Sequence, residues 1–252
     1  MHFETLRFEE KGGVAVLRLL APPGKGSEVS QLGAELSECC RRFRGNDEGR
    51  VLVVLGESPD AFCIGKALAS VVKQMPESFS ITESLAELER PVLAGITGDA
   101  IGLGLELALA CDVRIAFESA RFGLNHVEAG VMPWEGGTQR LVRAVGKAKA
   151  LEMILTGERI DACEAHRIGL VNRLVPNDEV VPTVMKMAHD MASKSPISME
   201  YCKEAINKGT DLTLAQGLRL EADLYFLMHS TRDREEGIKA FKEKRKPEFK
   251  GV

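Results

Sequence analysis

Short β-rich runs alternate with helical patterns through the first hundred residues, and that alternation restricts the chain to α/β architecture. Val14 to Leu19, Val51 to Leu55 and Val92 to Ile96 read as strands, while Ser30 to Phe43 and Ser80 to Leu88 carry helical spacing. Turn residues separate them at Pro22-Pro23-Gly24, Gly45-Asn46-Asp47 and Ser58-Pro59-Asp60. After Ser195-Pro196 the pattern becomes helix alone, over Ile197 to Lys208, Leu214 to His229 and Asp233 to Lys244. Leu214, Leu218 and Tyr225 form one apolar stripe and Ile238 with Phe241 another. Core packing is the reading favoured for both, and burial against another subunit is its extension. The expected organisation is a core over residues 1–195 and a helical region over residues 196–252.

The chain has 252 residues, 44% hydrophobic and 28% charged, which is a globular composition with material for one enzyme-sized unit. Apolar stretches such as Leu93 to Ala100 fall well short of the roughly 18 residues that a membrane span needs. Met1 to Glu10 does not read as a secretory signal. Six cysteines without metal-ligand spacing read as reduced thiols, so a cytoplasmic protein is expected. A net charge of −4 gives no global attraction to nucleic acid or to an anionic membrane. An anionic ligand would need local donors.

The stretch Gly98 to Ala116, GDAIGLGLELALACDVRIA, is the most informative for chemistry. Gly98, Gly102 and Gly104 precede a helical run, so a tight turn should deliver free backbone N–H groups at a helix N-terminus, where negative charge is favoured. Glu106 lies in the first turn among leucines and alanines. Two readings stand: a carboxyl whose apolar setting suits acid–base work, or a helix-start acid that complements the dipole and faces water. A second glycine-marked segment, Ala61-Phe62-Cys63-Ile64-Gly65-Lys66, follows the strand Val51 to Leu55. A third, Ala120 to Leu141, crowds His126, Glu128, Trp134, Glu135 and a Gly-Gly-Thr turn into one loop-rich stretch.

Together these segments resemble the enoyl-CoA hydratase/isomerase, or crotonase, superfamily. The resemblance runs from Val14 to the tail and is strongest from Pro91 to Val175, with PVLAGITGDAIGLGLELALACDVRIA, the GGTQRL run and the terminal EGIKAFKEKRKPEF pattern. It implies an α/β fold, a crotonase-like right-handed spiral of ββα units with a C-terminal helical trimerisation region, and assembly as a homotrimer or hexamer. It implies an oxyanion hole of two backbone N–H groups, falling on Lys66 and Leu103. Contacts to coenzyme A fall on Lys25, Ser27, Ala61, Cys63 and Ile64. No cofactor or metal is implied; coenzyme A arrives as part of an acyl-CoA thioester substrate.

Several positions depart from the family pattern. Leu103 stands where glycine is common, Ala67 follows Lys66 where the family often has Asp, and Ser27 stands for a usual Asn. Hydratases of the family use two glutamates. Glu106 matches the first, but in the F-G-x-P-E pattern of the second, Phe122-Gly123-Leu124-Asn125 is followed by His126. The spacing to Gly136-Gly137-Thr138 leaves no room to slide Glu128 into that slot. Histidine can still move protons near neutral pH. Glu135, nine residues on, lies near where other members place an acid, so a pair in which Glu135 orients the His126 imidazole is expected, with a surface Glu135 as the alternative. The catalytic candidates are thus Glu106, His126 and Glu135. Three functions follow: hydration of a 2-enoyl-CoA with an unusual or cyclic acyl group, double-bond isomerisation or ring-opening hydrolysis through His126 and Glu135, and acyl-CoA binding without turnover.

Overall fold

Every side chain of Val51–Gly56 and Val92–Ile96 is buried, as parallel strands covered on both faces require. The computed structural model describes residues 3–20, 28–58, 61–63 and 81–252. Its larger sheet has six strands in the order β1 (Leu6–Lys11), β2 (Val14–Leu19), β3 (Val51–Gly56), β4 (Val92–Ile96), β6 (Val113–Phe117) and β9 (Arg173–Val175). Only the β1–β2 pair is antiparallel; the remaining pairings are parallel. A smaller sheet sets β7 (Arg121–Gly123) between β5 (Ala100–Ile101) and β8 (Ile160–Asp161).

Alternation along the strands sends side chains to two cores. Val51, Val53, Leu55, Leu93 and Ile115 meet Val184 and Ala188 of the helix Val180–Ala192 on one face. Leu52, Val54, Ala94 and Ile96 face the main core, where Leu32, Leu36, Cys39, Cys40 and Phe43 of the helix Glu28–Gly45 join them. Burial pushes the Cys39, Cys40 and Cys111 thiols up to about 12, which makes them unreactive apolar filling.

Three strands match the sequence expectation closely, and the helices Pro196–Gly209, Leu214–Leu227 and Arg232–Glu243 fall where three helices were predicted. Strand β1 was not predicted, because the run LRFEEK is too polar to stand out. The helix predicted over Ser80 to Leu88 is, among the described residues, one turn, Glu83–Ala86; Arg90-Pro91 follows, and a residue before proline avoids helical backbone. The apolar stripes of the C-terminal helices are not core. Leu214 is 80%, Leu218 56%, Tyr225 67% and Phe241 86% exposed in the single chain, and Ile238 is exposed too. Few strands remain to receive these faces, so the chain alone cannot bury them.

Candidate functional site

The smaller sheet builds the site by bringing two strand ends together. Strands β5 and β7 pair in parallel, with Ala100 opposite Phe122 and Ile101 opposite Gly123, and the Gly102 N–H donates to the Gly123 carbonyl at 2.9 Å. The chain leaves β5 at Gly102, whose φ of 59° only glycine holds without strain, and enters the helix Leu103–Ala110. It leaves β7 into a 3-10 turn over Asn125–Ala129. Glu106 is five residues beyond Ile101 and His126 three beyond Gly123, so the two side chains arrive side by side.

Both are fully buried, with no exposed surface. Glu106 therefore does not look at water, and of the two sequence readings only the buried carboxyl stands. Its Oε1 accepts the Glu135 N–H at 2.9 Å and the Gly137 N–H at 3.0 Å. That oxygen is fixed as an acceptor, so any proton gained or lost belongs to Oε2. Glu106 Oε2 lies 3.3 Å from His126 Nε2 without hydrogen-bond alignment, and each atom keeps capacity for a third group. The Trp134 ring meets the imidazole edge-on, centroids 5.1 Å apart and planes at 86°.

The Gly136-Gly137 turn is what presents the two N–H groups. Gly136 has φ of 88°, and a Cβ on Gly137 would stand 2.8 Å from Glu106 Oε1. Glu135 itself is 2% exposed, so it is not a surface acid. The imidazole faces Glu106, and among the described residues no hydrogen bond or ion pair joins His126 to the Glu135 carboxyl. The Glu135 carboxylate accepts the Thr82 N–H at Oε2, 3.0 Å. Thr82 Oγ1 donates to the Glu135 carbonyl at 2.8 Å, and Arg140 Nη1 donates to both that carbonyl and Thr82 Oγ1. Burial pushes the Glu135 carboxyl above the usual carboxylate range; the Thr82 N–H opposes this and the nearby Glu106 charge adds to it. Thr82 and Arg140 were missed in the sequence because Thr82 lies 53 residues from Glu135 and nothing local marks the partnership.

Six buried side-chain polar atoms lack a hydrogen-bond partner among the described residues: Glu106 Oε2, Asn125 Oδ1, both His126 nitrogens, Trp134 Nε1 and Glu135 Oε1. All belong to this one region. Folded proteins pair nearly every such atom, so a cluster of open ones marks a place built for something else to bind.

The predicted oxyanion and coenzyme A positions are partly visible. Leu103 is the first residue of its helix, and among the described residues its N–H has no backbone acceptor, as expected of the first turn. Ala61 bridges Asp99 as a parallel partner and the Phe62 N–H donates to the Asp99 carbonyl at 2.9 Å. A Cβ on Gly104 would touch the Cys63 side chain at 3.5 Å. The segment holding Ala61 and Cys63 thus runs beside the turn that opens the Glu106 helix. Lys25, Ser27, Ile64 and Lys66 lie outside the described residues. Glu128 is exposed and takes no part in the pair, as the spacing required.

Residues 9–252 match the family model described as enoyl-CoA hydratase/isomerase. A protein of Rhizobium meliloti named a probable enoyl-CoA hydratase is 40% identical over 256 residues, covering 99% of both chains. The mitochondrial methylglutaconyl-CoA hydratase of Rattus norvegicus is 36% identical, with 96% of this chain and 81% of that one covered. A crystal structure of an enoyl-CoA hydratase from Bacillus anthracis superposes with a TM-score of 0.90 at 35% identity, covering 99% of this chain and 100% of that one. A resemblance this long makes the chain a member of the enoyl-CoA hydratase/isomerase family, with the crotonase fold.

Proposed function

We propose that this enzyme adds water across the double bond of a 2-enoyl-CoA thioester, with Glu106 and His126 as its acid–base pair. The observation that carries the reading is the Glu106 carboxylate, gripped at Oε1 by two main-chain N–H groups and left open at Oε2 opposite His126 Nε2. A water held between these two atoms gives a proton to Glu106 as its oxygen attacks the β-carbon. The electrons of the double bond move onto the thioester oxygen. The family resemblance assigns that negative charge to the N–H groups of Leu103 and Lys66, and donors fixed in advance cost no reorganisation as charge develops. His126, entering the step as the imidazolium, then delivers a proton to the α-carbon and, once neutral, regains one from the Glu106 carboxyl. One water is added, and both side chains return to their starting forms.

Relatives named as hydratases support this reading. Ring-opening through a His126–Glu135 pair is less well supported, since the imidazole faces Glu106. Non-catalytic acyl-CoA binding is opposed by the hydratase names that relatives similar over nearly the whole chain carry. Assembly as a homotrimer, or a hexamer of two trimers, accounts for the exposed apolar faces of the C-terminal helices.

Incubation of the purified protein with crotonyl-CoA, followed by mass spectrometry and chromatography, tests the proposal. A product one water heavier that coelutes with 3-hydroxybutyryl-CoA is expected. A product of unchanged mass with a moved double bond would replace hydration by isomerisation.

A further inference from the structure

The proposed water addition uses Glu106 Oε2 and His126 Nε2, which leaves two polar tips of the same site unused. Trp134 Nε1 is a donor only, it is buried, and it has no partner among the described residues. Glu135 Oε1 is likewise buried without a close hydrogen-bond partner among the described residues, although the Thr82 N–H holds Oε2 and the Ile81 N–H also lies near the carboxyl. Neither residue is remote from the chemistry. Trp134 packs edge-on against His126, and the backbone N–H of Glu135 holds Glu106.

A purely hydrocarbon acyl chain packed against these tips would pair with neither, which is the costly way to bury a polar group. An oxygen on the acyl group answers both: it accepts from the indole N–H, and it can share a hydrogen with Glu135 Oε1. The sequence places Trp134 and Glu135 consecutively, in the Pro133–Gly136 link that leads into the Glu106 clamp, so both are set by the same backbone.

Resting on the reading of this site as an acyl-CoA pocket, we propose that the enzyme selects acyl groups carrying a neutral oxygen function, a hydroxyl or ketone, beyond the reacting carbons, recognised by Trp134 Nε1 and Glu135 Oε1. An anionic substituent fits less well. It would sit near the Glu106 charge, and the guanidinium of Arg140 beside Glu135 is already engaged by the Glu135 carbonyl and Thr82 Oγ1.

Saturated acyl-CoAs test this without any turnover. Dissociation constants are measured by calorimetry for butyryl- and hexanoyl-CoA and for their hydroxy and keto forms with oxygen at C4 or C5. At least one oxygenated ligand should bind about tenfold tighter or more than its plain parent, because sites built for a hydrogen bond reject analogues that lack it. Trp134→Phe, which keeps a ring against His126 and removes the donor, should erase most of that preference. Glu135→Gln keeps an acceptor for the Thr82 N–H and a donor at the other atom, and should retain it. Equal affinity for plain and oxygenated ligands, or a preference untouched by Trp134→Phe in a protein that still melts as wild type, overturns the assignment and leaves the acyl-CoA pocket standing. Failure to bind any acyl-CoA overturns the pocket itself and this selectivity with it.

Discussion

Glu106 has no solvent to satisfy it, and two main-chain donors take the place of water on one oxygen. Gly137 makes this possible by bringing its N–H close while carrying no side chain. Gly137→Ala would push a methyl group to within 2.8 Å of Glu106 Oε1, 2.9 Å of Pro133 Cβ and 3.0 Å of Leu124 Cδ1. Overpacking of this kind costs about 1–3 kcal/mol, so denaturant melts should show a clear loss of stability, together with loss of activity. A melt identical to wild type would mean that the turn is looser than its geometry implies. Glu135 makes a different demand. Burial raises its folded-state pKa above the ordinary value of 4.5, so the folded protein holds a proton that the unfolded chain gives up. That contribution is fully present below about 4.5 and is lost as pH rises through the folded pKa. The stability difference between wild type and Glu135→Gln should therefore shift against the wild type as pH rises from 4.5. A difference that stays flat with pH would show that Glu135 does not titrate in this way.

The elements were legible wherever local pattern and burial agree. Val51 to Leu55 and Val92 to Ile96 are aliphatic because both faces of the sheet are covered, and Glu106 was readable because glycine, helix start and an isolated acid lie within one short stretch. What no local pattern carries is the long-range pairing: the Thr82 N–H on Glu135, the Glu135 and Gly137 N–H groups on Glu106, and the choice of Glu106 over Glu135 as the partner of His126. Backbone donors leave no residue-type signature. Asp233 is another case of the same kind, a buried acid at the start of the last helix. Its carboxylate accepts from the Ser195 hydroxyl at 3.0 Å and from the Lys250 N–H at 2.8 Å, and so ties the C-terminal tail to the start of the helix Pro196–Gly209. Charged hydrogen bonds contribute roughly 1.5–3 kcal/mol each. Asp233→Ala should lower the unfolding free energy from denaturant melts by at least about the contribution of one such bond, and an unchanged value would mean that the tail is held by other contacts.

At the scale of the molecule, Leu214, Tyr225, Phe226 and Phe241 are large apolar side chains left exposed on the C-terminal helices, and such surface, where contiguous, marks protein–protein contact. No helix among the described residues is long and apolar enough to cross a membrane. Partner copies are the proposed cover. Light scattering at micromolar concentration should give the mass of three or six chains of 27.5 kDa, and Phe241→Asp with Leu218→Asp should shift it toward the monomer. A monomeric wild type would refute the assembly. The proposed hydration rests on one pair of side chains, so the most direct test follows heavy oxygen from labelled water into product, with crotonyl-CoA as substrate, for wild type and Glu106→Gln. The wild type should place one labelled oxygen on the β-carbon, and the Gln variant should do so at least about 100-fold more slowly, since general acid–base groups contribute about 10²–10⁴. Label absent from the wild-type product, or incorporated equally fast by Glu106→Gln, would contradict the central role given to Glu106.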